Sequence, residues 1–283
     1  MTPQTQTLLE ALKYVEKFYG RTMLIKLGGS ILDCPERMKI LCEDLKCLRA
    51  AGIALVIVHG GSKAIEQALN AYQLTWEFHQ GQRVTTPDMM TVIEMVLSGQ
   101  VNKQLVRQLN QLDVNAMGFS GVDNRLLLCE QASEQLGLVG AIKQVNTQWI
   151  RSFLDNQLAN PHGGMIPVIS PVGVDADGQS LNVNADWAAS EIATALGVDK
   201  LVYLTDQEGI YHGDKLLSEC SSSKLHSLID ANIVQGGMLT KVKTILDAIN
   251  QGIQQIHILG AKRDHVLIDE IFTDAGVGTL CFK

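Results

Sequence analysis

Short apolar runs that stop at paired glycines recur along this chain. Residues 22–27 (TMLIKL) end at Gly28 and Gly29, and residues 53–58 (IALVIV) end at His59, Gly60 and Gly61. A run apolar on both faces suits a strand whose sheet is covered by helices on both sides. Helical patterns follow, over residues 35–51 and from Ser62 to about residue 72. Pro35 is accepted in a first helical turn, and Ser62 is a suitable cap. The alternation returns with strands at 165–170, 200–204 and 255–259 and helices at 185–196 and 237–252. Strands alternating with helices of this length predict a parallel sheet with right-handed crossovers. Residues 173–181, centred on Asp177-Gly178, read as a β-hairpin. No Pro- or Ser-rich linker divides the chain, so this hairpin is the expected border between two lobes of one sheet.

In an open parallel sheet, ligands bind beyond the carboxyl ends of the strands, where both Gly-Gly turns lie. Glycine lets backbone approach a ligand closely, and the helix that follows offers unpaired N–H groups to an anion. Neither a P-loop nor a strand-linked dinucleotide fingerprint is present. Phosphoryl transfer needs cations around the moving group and in-line positioning, with little covalent chemistry from the protein. Lys26, on the first strand, and Lys241, four residues after Gly236-Gly237, are candidate cations. A strand lysine also serves as a snorkelling surface residue, so Lys26 alone is ambiguous.

The net charge is −7, with a pI of about 5.5, which argues against nucleic acid or an anionic membrane as the main partner. An anionic ligand must then be met by a few placed cations and amides. The six cysteines are scattered, with no C-x-x-C pair, and read as reduced thiols packed as small hydrophobes. The N-terminus has no signal-peptide pattern, and the longest apolar stretch, residues 50–58, is interrupted by Gly52 and too short to span a bilayer. The cytoplasm is the expected location. Residues 7–19 form an extra helix before the first strand. Leu8, Leu12 and Val15, flanked by Leu9, Ala11 and Phe18, make its apolar side wider than a surface helix needs. It either packs on its own domain or contacts another copy.

Seven blocks, KLGGS (26–30), VHGGS (58–62), GQRVT (81–85), FSGVD (119–123), LNVNADWAA (181–189), LTDQEGIY (204–211) and GGMLTKV (236–242), follow the order and spacing of the amino acid kinase family. The chain resembles that family from about Leu8 to Phe282, most of all its members that phosphorylate N-acetyl-L-glutamate for arginine biosynthesis. The resemblance implies an α/β, three-layer α-β-α sandwich around a mainly parallel central sheet, as in carbamate kinase. It further implies an oligomerisation helix at 1–21, an acceptor-binding lobe at 22–180 and an ATP-binding lobe at 181–283. ATP would be the co-substrate, with Mg²⁺ and no metal-ligating side chains.

The resemblance also implies residue roles. Lys26 and Lys241 would hold the ATP phosphates and stabilise the transferring phosphoryl, with Asp186 orienting both lysines. Asp186 has a plainer reading as a helix N-terminal acid favoured by the dipole. Gly28, Gly29 and Gly61 match phosphate-binding backbone. Gly61, Ser62, Arg83 and Asn182 match the acceptor site, Arg83 and Asn182 at its α-carboxylate. Asp206, Gly209, Ile210, Tyr211, Ile233, Val234 and Gln235 fall where adenine and ribose are held. Tyr14, His257, Glu270 and Gly276 match an arginine effector pocket, found in members whose extra helix joins dimers into a hexamer; His257 has the plainer reading of a satisfied strand histidine.

The residues agree with a carboxylate acceptor. A side-chain carboxylate, with a reference pKa of about 4.3, is ionised at neutral pH and needs no general base. The set supplies none, although Asp123 is unassigned. Departures from the family pattern are Ser62 in place of a third glycine, Trp187 after Asp186, and the stretch 160–164. Alternatives are another amino acid kinase, such as an aminoadipate-type or glutamate kinase, or a non-catalytic amino-acid sensor. A sensor would be expected to lack Lys26, Lys241 and Asp186.

Overall fold

The structure is a computed structural model that describes residues 2–283 apart from Asp33, Gln80, His162, Asp274 and Ala275. Its frame is an eight-stranded sheet. The strands are β1 (Thr22–Leu27), β2 (Ala54–His59), β3 (Ala116–Ser120), β4 (Ile166–Ser170), β5 (Lys200–Thr205), β6 (Glu219–Ser221), β7 (Ile256–Gly260) and β8 (Thr279–Phe282). Their order is β6-β8-β7-β5-β1-β2-β4-β3. From β7 to β3 all neighbours are parallel; β8 runs antiparallel to β7, with β6 parallel to β8 at the edge.

β1 is central, with β2 on one flank and β5 on the other. The chain fills the β2 side first, with β2, β3 and β4, and then the β5 side, with β5 to β8. The strand order therefore reverses at β1, which is where a doubly wound sheet opens a crevice at its carboxyl edge. All three of these strands are buried along nearly their whole length, as their continuous apolar runs predict.

Alternation along β1 assigns its side chains to two cores. Met23, Ile25 and Leu27 join one cluster with the helices Pro35–Ala50, Ser62–Ala71 and Val266–Phe272. Leu24 joins the other, with the helices Ala185–Leu196 and Gly236–Asn250. Lys26 has the parity of Leu24, so it emerges on the face that those two helices cover. This register brings a strand lysine to residues distant in sequence.

The hairpin appears as expected: Val172–Val174 pairs antiparallel with Ser180–Asn182. Asp175 accepts from the backbone of Asp177 and Gln179, and Gly178 takes a positive φ of 92°. The hairpin belongs to a separate four-stranded sheet with Leu127–Gln131 and Gly140–Val145. The N-terminal helix starts earlier than expected, at Pro3, because Thr2 caps it and proline suits its first turn. It docks through Val15 and Phe18, leaving Leu8, Leu9 and Leu12 exposed. Of the 160–164 stretch, His162 lies outside the described residues.

Candidate active site

Asn184 caps the helix Ala185–Leu196, its Oδ1 accepting from the backbone N–H groups of Asp186 and Trp187. Asp186 sits in the first turn, where a helix favours negative charge. Lys241 lies in the second turn of the helix Gly236–Asn250. The Lys26 ammonium is 2.7 Å from Asp186 Oδ1, and the Lys241 ammonium is 2.5 Å from Oδ2. Asp186 is thus a first-turn acid that also touches both ammonium groups. All three side chains are at least 85% buried. Burial alone would raise the Asp186 carboxyl, but the two ammonium groups outweigh it and hold the acid well below the usual carboxylate range. Burial pulls Lys241 down from the usual lysine range, opposed by Asp186. Lys241 also stacks 5.0 Å above the Tyr203 ring.

Two clefts meet at this triad. The larger, about 1080 Å³, is lined by Lys26, Gly28, Gly29, Asp186 and Lys241 and continues past Asp206, Gly209 and Tyr211 to Ile233, Val234 and Gln235. The smaller, about 250 Å³, is lined by Gly61, Phe78, Arg83, Asn182 and neighbouring residues. Lys26, Gly29, Ser62 and Asp186 line both. The two glycine turns face each other here: a Cβ on Gly29 would sit 3.5 Å from the Ser62 nitrogen and 3.7 Å from Gly61. The shared wall thus offers one cation, its carboxylate partner and glycine backbone, with the second cation, Lys241, beside it in the larger cleft.

Arg83 closes the smaller cleft. It is buried, donates from Nη2 to Glu66 Oε1 at 2.9 Å, and packs against the Trp76 and Phe78 rings. Its Nη1 is buried with no hydrogen-bond partner among the described residues. An unsatisfied guanidinium donor is costly unless a ligand completes it, and a carboxylate suits its fork. Asn182 donates to Thr85 Oγ1 at 3.1 Å.

The structure gathers most residues expected from sequence into these clefts. Ile210 is the exception in the nucleotide set: it is fully buried and lines neither, its backbone N–H donating to Thr279 Oγ1. Trp187 is half-buried and lines neither cleft. Asp123 caps a turn by accepting from the Ser120 backbone at 2.6 Å and lines neither cleft. The expected effector residues, Tyr14, His257, Glu270 and Gly276, line a separate cavity of about 350 Å³ on the far side of β7. There His257 Nδ1 lies 2.6 Å from Glu270, which also meets Lys200 at 3.3 Å. Sequence reasoning missed Cys34 and Arg37, which the first turn of the helix Pro35–Ala50 brings to the larger cleft. It also missed Phe78 and the Glu66–Arg83 pair; the glycine in the hairpin before Arg83 was the available signal.

Residues 21–260 match the model of the amino acid kinase family. The acetylglutamate kinase of Kosmotoga olearia is 41% identical over 277 residues, 97% of this chain and 96% of that protein. The chain belongs to the amino acid kinase family. Among solved structures, an N-acetylglutamate synthase from Neisseria gonorrhoeae aligns with a TM-score of 0.87 at 24% identity, covering 99% of this chain and 63% of that one. A carbamate kinase of Giardia aligns at 0.69 and 15%, covering 93% and 99%. At those identities the likenesses concern the fold: the family's α/β layers around a mostly parallel sheet.

Proposed function

We propose that this amino acid kinase transfers the γ-phosphoryl group of ATP to the γ-carboxylate of N-acetyl-L-glutamate, yielding an acyl phosphate in arginine biosynthesis. The observation that carries this is the meeting of two clefts at Lys26, Asp186 and Lys241, with a glycine turn from each of two strands opposite them. The larger cleft takes the nucleotide and the smaller the acceptor. Lys26 and Lys241 face the negative charge that spreads over the equatorial oxygens in flight, and Asp186 fixes their heads beforehand. The Gly29 and Gly61 amides add donors without steric bulk. Arg83, completed at Nη1, and Asn182 hold the acceptor's α-carboxylate. The attacking oxygen is already ionised, so a site without a base suffices.

Mg²⁺ brought in by the nucleotide would neutralise charge on the phosphates, leaving Lys26 and Lys241 to meet the transferring group. Among the described residues no group of three or more His, Cys, Asp or Glu side chains is disposed to hold a metal. Residues 22–180 carry most of the acceptor pocket and 181–283 most of the nucleotide site. The border is not sharp, since Asn182 to Asp186 line the smaller cleft and Lys26 to Lys63 the larger. We also assign arginine as an effector at the Glu270–His257 cavity, and the exposed Leu8, Leu9 and Leu12 of residues 1–21 to contact with another copy, joining dimers into a hexamer. No described helix is long and apolar enough to cross a membrane; the cytoplasm is the proposed setting.

Hydroxylamine converts acyl phosphates to hydroxamates and leaves phosphate esters intact. Incubation with ATP, Mg²⁺, acetylglutamate and hydroxylamine should yield acetylglutamyl hydroxamate in step with ADP. ADP without hydroxamate would refute carboxylate transfer.

A further inference from the structure

Behind the second glycine turn lies a buried polar pair that the scheme above does not use. His59, the last residue of β2, and Asn102, which opens the helix Asn102–Gln111, are both fully buried. His59 Nδ1 is 3.0 Å from the Gly60 carbonyl oxygen. A carbonyl only accepts, so Nδ1 carries the hydrogen and Nε2 is left as an acceptor. Asn102 Nδ2 lies 3.2 Å from Nε2 and donates to it. The same nitrogen reaches the carbonyls of Val168 at 2.9 Å and Phe119 at 3.3 Å, on β4 and β3. Asn102 is thereby pinned across three strands, and the imidazole is pinned by Asn102. Burial keeps the ring neutral, its pKa pushed down to about 4.

The direction of this hydrogen bond matters because a trans peptide is planar: the Gly60 carbonyl and the Gly61 N–H belong to one unit and point opposite ways. Holding the carbonyl against His59 turns the Gly61 amide outward, away from the ring. The Gly60 N–H is also held, donating to the Leu27 carbonyl at 2.9 Å. From the other side, the π-helical segment Met95–Val101 presses Leu97 and Val101 on Gly61; a Cβ there would come within 2.8 and 3.5 Å of them. That segment leads directly into Asn102. Rare π turns concentrate at functional sites, where they re-aim side chains that an α register would point elsewhere.

We infer that His59 and Asn102 are positioning residues for phosphoryl transfer: by holding the Gly60 carbonyl inward they aim the Gly61 amide at the transferring group. The inference rests on the kinase reading, in which that amide is a donor.

Three substitutions in the full chain test it. His59→Asn keeps an N–H near the Nδ1 position; His59→Gln carries its amide to the Nε2 position; His59→Leu has neither. With ATP and acetylglutamate, His59→Gln and His59→Leu are expected to lower kcat about 10- to 100-fold with both KM values within about twofold. His59→Asn is expected to recover turnover to within about fivefold of the parent. Hydrogen exchange of a peptide spanning residues 58–65, measured without substrates, should speed up in the Gln and Leu variants and not in Asn. If Leu does not fold, the Asn and Gln pair still decides. Equal kcat and equal exchange in Asn and Gln would overturn the inference, leaving His59 a core filler. So would an effect confined to KM. A parent inactive on acetylglutamate would sink the substrate reading, while the exchange comparison would still decide the role of His59.

Discussion

The chemistry converges on one carboxylate between two ammonium groups. Replacing Lys241 with alanine removes a preorganised cation, so turnover should fall by about 10²–10³, or about 3–4 kcal/mol of barrier; survival of near-parental kcat would show that Lys241 is not at the reacting centre. Arg83→Ala should act through binding. Loss of a buried charged donor predicts a rise of about 10- to 100-fold in the acceptor KM, with kcat much less affected. Asp186 gives the pH dependence. Its carboxyl is depressed in the folded protein, so it stabilises the fold above its unfolded pKa of about 3.9, and that contribution disappears as pH falls through the folded value. Urea midpoints of the parent should therefore drop below about pH 4, and Asp186→Asn should lack this component of the drop. At neutral pH the Asn variant leaves two buried ammonium groups uncompensated, which should cost about 3–5 kcal/mol of stability.

At the scale of elements, the glycine turns, the helices that carry Asp186 and Lys241 and the hairpin are visible in the sequence because each is specified locally. Thr22–Leu27 and Lys200–Thr205 are apolar runs with clear stops, and Asp177-Gly178 is a turn signal. Asn184 and Asp186 announce a helix start. What did not show in the sequence depends on distance in space. Arg37 reaches the larger cleft from the first turn of the helix Pro35–Ala50, to meet residues of the second half of the chain, and the Glu66–Arg83 pair joins the helix Ser62–Ala71 to residues 82–83. Ile210 misled because its place within LTDQEGIY says nothing about which side of the backbone faces the nucleotide. The N-terminal helix carries its own prediction. Leu8 and Leu12 are 61% and 51% exposed, an apolar surface beyond what a helix packed on the core through Val15 and Phe18 requires. Glutamate at both positions should leave kcat and the melting temperature near parental values and reduce the mass measured by light scattering. An unchanged mass would mean that this face has no partner.

Over the whole molecule, the strand reversal at β1 turns separate local signals into one site. It places the carboxyl ends of β1, β2 and β5 side by side, so that a lysine and two glycine turns meet helices from the second half of the chain. The parallel core of that arrangement followed from the apolar runs. The two edge strands, β3 and β6, the inner strand β8 and the four-stranded sheet as a unit did not, because short or one-sided strands leave weak periodicity. The central claim is that this site phosphorylates an acylated glutamate, and ATP consumption across an acceptor panel tests it most directly. With acetylglutamate, glutamate, aspartate and acetyl-aminoadipate compared at matched concentrations, acetylglutamate should lead in kcat/KM by at least ~10²-fold over free glutamate, which carries an extra ammonium charge into the cleft that holds Arg83. Equal or faster ATP consumption with glutamate, aspartate or acetyl-aminoadipate would contradict it.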